Sequence, residues 1–253
     1  MNIKDKVILI TGACGVIASK LVTELDQRGA VLLLVDSNES KLKEDFSKLS
    51  NPHSRYYVTD LSDAQKHNEI VKILDNAYGK LDCAIHLAYP RSAGWGKAFG
   101  KLDHKFLLED LNKQLALPIL FSQVILKFYD KQNYGNLIHV SSVQGVAAPK
   151  FEHYEGTSMV SPIEYTAVKT ALIAITKYLA KLYKNKNIRV NCVSPGGILD
   201  NQPDSFLKKY KSSCVNKGML DSEDLIGSFL FLISDESRYI TGQNIIVDDG
   251  WSL

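Results

Sequence analysis

One stretch of the 253-residue chain carries the parts for proton transfer: Ser161-Pro162-Ile163-Glu164-Tyr165, with Lys169 four residues beyond the tyrosine. Ser, Pro and Glu in that order write a helix start, with Ser161 as N-cap, Pro162 at the first helical position and Glu164 closing a capping box. Tyr165 then falls in the first turn, and the four-residue step puts Lys169 on the same face. An ammonium about 4 Å from a phenolate is worth roughly 4 kcal/mol at an effective dielectric of 20, and one pKa unit is about 1.4 kcal/mol, so the phenol is expected to be drawn toward neutrality. The helix N-terminus pushes the same way. A phenol so tuned is a general acid/base near pH 7. Ser142, in the V-S-S-V segment that ends an apolar run, would hold a substrate oxygen beside it, while its neighbour Ser141 reads as a strand-end turn residue.

A second constellation lies at the other end. T-G-A-C-G-V-I-A, Thr11 to Ala18, follows directly on the apolar run Val7 to Ile10. Gly12 permits a tight turn, Gly15 lets a pyrophosphate approach the backbone at a helix N-terminus, and Ala18 is small enough for that helix to lie on the strand. Asp36 ends the next apolar run 24 residues after Gly12, near the ~20-residue spacing of a ribose-binding carboxylate. An Asp there accepts hydrogen bonds from the adenosine 2′ and 3′ hydroxyls and repels a 2′-phosphate. No Arg or Lys lies between Gly12 and Ala18, and none between Ser37 and Lys41, so the expected cofactor is NAD, with NADP less favoured.

These residues need elements to hold them. Short β-branched runs at Val7 to Ile10, Val31 to Val35, Tyr56 to Val58, Cys83 to Leu87, Leu137 to Val140, Ile188 to Val193 and Ile245 to Val247 read as strands. Between them, apolar residues at 3 to 4 spacing, such as Ile17, Leu21, Leu25 and Ile70, Ile73, Leu74, Ala77, read as helices. That alternation predicts one α/β domain over 1–253, a doubly wound parallel sheet with helices on both faces. The rhythm breaks at 146–161 and again at about 196–218, two loops expected to hold substrate. In the first, Lys150, Glu152, His153, Glu155 and Thr157 would form a polar wall suited to a hydroxylated ligand.

Composition narrows the classes. Thirty basic residues against 28 acidic ones leave a net charge of +2, with no single-sign run to gather a nucleic-acid or membrane surface. Cys14, Cys83, Cys192 and Cys214 form no C-x-x-C pair, so reduced thiols and no metal site are expected. The apolar stretch Ala116 to Phe128 is interrupted by Ser122, Gln123 and Lys127 and falls short of the ~20 residues a span needs, and the first residues lack a signal-peptide core. A cytoplasmic protein is expected.

With Asp60-Leu61 after the third strand, R-V-N-C-V-S-P-G from Arg189 to Gly196 and I-T-G-Q-N-I-I-V-D-D-G near the end, the whole chain resembles the short-chain dehydrogenase/reductases. The resemblance implies a Rossmann fold in which Tyr165 exchanges the proton, Ser142 orients the substrate oxygen and Lys169 lowers the Tyr165 pKa and holds the nicotinamide ribose. It implies that Gly12, Cys14, Gly15, Val16, Ile17, Asp36 and Ala88 border the cofactor, that Asp60 and Leu61 flank the adenine, and that Pro195, Gly196 and Ile198 pass beside the nicotinamide. It also implies a homodimer or homotetramer through helices around 105–130 and 162–184. The chain departs from the family pattern in four places: H-L-A-Y at 86–89 replaces N-N-A-G, Asp200 replaces a Thr, V-D-D-G replaces V-D-G-G, and either Asn112 or Gln114 stands for the active-site Asn. Ser142 and Tyr165 lie 23 residues apart, wider than the family's separation. That insertion and S-P-G-G-I-L-D-N-Q-P resemble bacterial reductases of flagellin modification and acidic nine-carbon sugar synthesis, which implies an amino-sugar or activated-sugar substrate. The alternatives are an NADPH-dependent ketoreductase of another small substrate and a non-catalytic dinucleotide-binding regulator.

Overall fold

The computed structural model describes residues 1–253. Seven strands form, β1 Val7–Thr11, β2 Val31–Asp36, β3 Arg55–Val58, β4 Cys83–His86, β5 Tyr134–Val140, β6 Asn187–Pro195 and β7 Asn244–Val247. All pair in parallel in the order β3-β2-β1-β4-β5-β6-β7, which fulfils the doubly wound expectation. The central strands alternate their side chains between two cores. Ile8 and Ile10 of β1 join Leu21 and Leu25 of α1 (Val16–Gln27) and Phe229 of α8 (Ile226–Ile233). Val7 and Leu9 point the other way, to Ile70 and Leu74 of α3 (Ala64–Tyr78) and Phe121 and Ile125 of α5 (Leu117–Gln132). Coverage of both faces is why the central strands read as unbroken apolar runs rather than alternating ones. The remaining helices are α2 (Glu39–Phe46), α4 (His104–Leu111), α6 (Ile163–Leu182) and α7 (Asp204–Ser212).

Two local readings are corrected. β5 begins at Tyr134, three residues before the apolar run, because Gly135 lies under the Tyr129 ring and the Asn136 amide donates to the Leu232 carbonyl at 2.8 Å. The helix carrying Tyr165 starts at Ile163 with Pro162 as its cap, and no side chain caps it. Ser161 instead donates its hydroxyl to Oε1 of Gln144 at 2.8 Å, and Glu164 is buried, so the capping box does not form. Tyr165 still lies in the first turn, as predicted.

His86, His67 and His139 are buried, and the first two pack on Phe121, His86 stacked at 4.7 Å and His67 edge-on at 5.6 Å. His86 shares a hydrogen bond with Thr11 at 2.9 Å, and His139 sits between the hydroxyls of Ser122 and Thr176, each at 2.9 Å. Burial pulls His86 down to about 3 and His139 down to about 4. Both pKa values fall below the unfolded value, so the unfolded chain binds more protons between pH 6.5 and 4, and stability drops as pH falls through that window. Denaturant unfolding at pH 7 and pH 5 is expected to show a loss of a few kcal/mol, about 1.4 kcal/mol per pH unit for each imidazole. His86→Asn should lower that slope, whereas a slope unchanged by the substitution would remove His86 from the account.

Candidate active site

Parallel strands end together, so the loops after β1, β4, β5 and β6 meet along one edge of the sheet. There a cavity of about 480 Å³ opens. Gly12, Gly15, Val16 and Ile17 border it from the first loop and α1, Ala88 from beyond β4, and Pro195, Gly196 and Ile198 from beyond β6. Ser142, Tyr165 and Lys169 face the same space. An adjoining cavity of about 380 Å³ is bordered by Cys14, Asp36, Asp60 and Leu61 together with Gly12, Gly15 and Ala88. The fold therefore gathers the expected catalytic and cofactor-binding residues onto two adjoining hollows, whereas Asn112, Lys150, Glu152, Glu155 and Thr157 border neither.

Lys169 is buried, and its ammonium donates to the Val140 carbonyl at 2.9 Å. In return the Ser141 hydroxyl donates to the Lys169 carbonyl at 2.6 Å. Ser141 thus fastens α6 to the end of β5 instead of serving only as a turn residue. Burial pulls the Lys169 amine down to about 8. Its nitrogen lies 4.7 Å from the ring centre of Tyr89 and 5.6 Å from that of Tyr165. The tyrosine does not follow the expected direction: burial raises the Tyr165 phenol above its ordinary value, opposed by the Ser142 hydroxyl and the Arg91 charge. The physical reason is burial of the phenol, while the ammonium is engaged by the Val140 carbonyl and lies over the face of Tyr89.

Tyr89 stands where the family carries a glycine, edge-on to Tyr165 at 5.6 Å. Between Asn112 and Gln114 the geometry is unambiguous. A π-helical turn, Asn112–Ala116, joins α4 to α5 and shifts the register by a residue, leaving Asn112 exposed and burying Gln114 against the cavity. The Gln114 amide donates to the Pro90 carbonyl at 3.0 Å, and its Oε1 has no partner within the chain.

On the nucleotide side the residues fit a dinucleotide. No side chain caps the start of α1 at Gly15, and no acidic residue stands in its first turn. Its leading N–H groups thus remain free to meet an anion at the cavity wall. Asp36 accepts the Cys14 N–H at 3.0 Å and the Asn38 N–H at 2.9 Å. That fixes the carboxylate and leaves further lone pairs for hydroxyl donors. Asp60 is held by the N–H and hydroxyl of Ser62. Burial, with Asp36 nearby, pushes the Cys14 thiol up to about 12, so it is not a nucleophile. Lys41 reaches back to the Cys14 carbonyl at 2.7 Å, a contact between residues 27 apart that the sequence did not disclose.

The expected polar wall is not what the insertion presents. Glu152 and Glu155 are exposed, while Lys209 clasps their backbone carbonyls, each at 2.9 Å. His153 is buried on Ser213 at 2.9 Å. His153, Tyr154 and Met159 are what reach the cavity, joined by Phe206, Tyr210, Met219 and Trp251. Aromatic faces dominate because this insertion packs as a small third core with α7 and the chain's end.

A parallel sheet of this order, with Ser, Tyr and Lys converging beside an uncapped glycine-turn helix, defines a nucleotide-dependent oxidoreductase. The chain belongs to the short-chain dehydrogenase/reductase family: residues 12–252 match the family described as Enoyl-(Acyl carrier protein) reductase. It is 41% identical to post-translational flagellin modification protein A of Campylobacter coli over 99% of this chain and 100% of that protein. It is 27% identical to the 7alpha-hydroxysteroid dehydrogenase of Bacteroides fragilis over 99% and 95% of the two chains. The crystal structure of a short-chain dehydrogenase from Leptospira borgpetersenii with bound NAD+ superposes with a TM-score of 0.88 at 28% identity, covering 100% of this chain and 94% of that one.

Gly12 is held at φ +66°, and a Cβ there would lie 2.7 Å from the Ala88 nitrogen. Gly12→Ala is expected to destabilise the chain by about 2 kcal/mol or more, from left-handed strain and overpacking together. Thermal unfolding checks it, and an unchanged Tm would mean the turn yields freely.

Proposed function

We propose that this chain is an NAD-dependent dehydrogenase/reductase that interconverts an alcohol and a ketone on an amino-sugar or activated-sugar derivative, in surface or flagellar glycan synthesis. The observation that carries the reading is the convergence of Ser142, Tyr165 and Lys169 on the cavity into which the bare N-terminus of α1 also opens. NAD, when bound, supplies or accepts the hydride. Gly12, Gly15, Val16 and Ile17 would cradle its phosphates, Asp36 would take the adenosine ribose hydroxyls, and Asp60 and Leu61 would border the adenine. Lys169, kept cationic below about pH 8, would hold the second ribose.

Ser142 orients the substrate oxygen. Tyr165 gives that oxygen its phenolic proton when a ketone is reduced and removes the proton when an alcohol is oxidised. Burial that raises the phenol keeps it protonated at neutral pH, the state that serves reduction. With substrate bound, the aromatic wall of Tyr154, Phe206, Tyr210 and Trp251 would limit the access of water. Exposed apolar residues on α4, α5 and α6, among them Leu108, Ile119, Leu120, Tyr178 and Leu182, support assembly as a dimer or tetramer through those helices. No helix is long and apolar enough to cross a membrane, in keeping with a cytoplasmic enzyme. Lys41 on the Cys14 carbonyl and Arg91 on the border of the Asp36 hollow are the observations favouring NADPH, since they set cations near Asp36.

Two substitutions test the reading. Tyr165→Phe should lower kcat at least ~100-fold, the usual worth of a general acid, with NADH affinity nearly unchanged. Full activity in that variant would remove the proton-transfer role. Asp36→Ala should narrow the preference for NADH over NADPH about 10-fold by removing both the ribose acceptor and the charge that repels a 2′-phosphate. An identical ratio in wild type and variant would show that Asp36 does not read the ribose.

A further inference from the structure

Arg91 lies in the loop after β4 and borders both hollows. Its guanidinium carbon sits 4.4 Å from the ring centre of Trp95 and 5.5 Å from that of Tyr89. Tyr89 in turn accepts the Trp95 indole N–H at 3.3 Å. Stacking uses the flat face of a guanidinium and leaves the N–H edge free to grip an anion in a fork. No carboxylate takes that edge. Asp110, which holds the neighbouring Ser92, is buried and already engaged, accepting the Ser92 N–H and hydroxyl, each at 2.7 Å, and the Gln114 amide at 3.3 Å.

Those same bonds make the loop rigid on both sides of the arginine. Ser92 is clamped by Asp110, and the Pro90 carbonyl is held by Gln114. Gly94 is pressed beneath Phe106, where no Cβ would fit. Arg91 itself is exposed, so its charge stays hydrated until a ligand arrives, while the held neighbours and the two rings keep the guanidinium in one place at the border of the cavity. The charge is felt at the reacting end of the cavity, where it lowers the Tyr165 phenol and the Lys169 amine. Trp95, which orients it, borders only the hollow shared with Ser142 and Tyr165. The remaining lining of that cavity is rich in aromatic residues and includes one acid, the exposed Asp200.

We infer that Arg91 is the specificity-determining anchor for an oxyanion on the substrate, a phosphate or a carboxylate, gripped at the mouth of the cavity while the sugar lies against the aromatic wall. The inference rests on the sugar oxidoreductase reading and deepens it: neutral sugars are poor ligands, and acidic or phosphorylated ones are the substrates. A guanidinium fork on an oxyanion forms two charge-assisted bonds, so its loss should cost at least about 10-fold in affinity.

The test is calorimetric titration of the full-length protein, first with NADH and then, at saturating NADH, with inorganic phosphate, glucose 6-phosphate, glucuronate and glucose. At least one of the three anions should bind about 10-fold or more tightly than glucose. That advantage should vanish in Arg91→Gln and return in part in Arg91→Lys, with the Kd for NADH within about 3-fold of wild type. Phosphate-bearing probes alone, or glucuronate alone, would tell which oxyanion is read. The inference is overturned if no anion gives a saturable response, or if anions bind equally well to wild type and Arg91→Gln. It is overturned equally if Arg91→Gln weakens NADH while sparing the anions, because the guanidinium then serves the cofactor. Failure of the wild type to bind NADH appears in the first titration and strikes the oxidoreductase reading rather than Arg91.

Discussion

Everything at the active edge depends on how α6 is fastened to the end of β5. The Lys169 ammonium on the Val140 carbonyl and the Ser141 hydroxyl on the Lys169 carbonyl form a reciprocal clasp. Gly145 permits it, because a Cβ there would come 2.8 Å from the Lys169 carbonyl. The clasp sets Tyr165 one turn away, opposite Ser142 on the neighbouring strand end. A buried ammonium with one carbonyl partner loses hydration, which is why its pKa comes down to about 8. The faces of Tyr89 and Tyr165 return part of that loss. The cation is thereby held in place but not spent on the phenol.

The sheet supplies the second constraint. Chain order reverses between β1 and β4, so their loops diverge and leave the crevice in which the glycine turn, Asp36 and Ala88 meet. His86, in place of the family's Asn, does not open this crevice but ties the end of β4 to Thr11 of β1. A buried neutral imidazole there takes over a joining role that an amide can also fill. Beyond it, Tyr89 and Arg91 turn the loop into a wall of aromatic rings and one free cation.

What could be read in the sequence was whatever local pattern decides. Unbroken β-branched runs marked the strands; the glycine turn, Asp36 and Ser142 stood out as candidates because each sits at an element's end, and Tyr165 and Lys169 because of their four-residue spacing. Gly135 and Asn136 hid the start of β5 because their reasons for being there, Tyr129 and Leu232, lie elsewhere in the chain. The capping box misled because Gln144, 17 residues away, competes for the Ser161 hydroxyl. The choice between Asn112 and Gln114 turned on a π turn that a 3.6-residue period cannot show. Glu152 and Glu155 of the insertion stayed exposed while its aromatic rings, His153 among them, packed with Phe206, Tyr210 and Trp251. The rise of the Tyr165 pKa likewise depended on burial that only the packed fold sets.

The central claim is that this edge binds a nicotinamide dinucleotide with an unphosphorylated ribose beside Asp36. Titration of the purified protein with NADH and with NADPH, followed by nicotinamide fluorescence, tests it most directly. The account predicts saturable NADH binding and NADPH binding at least about 10-fold weaker, the worth of one charge-assisted acceptor and the repulsion it exerts. Equal or tighter binding of NADPH, or no binding of either, would contradict it.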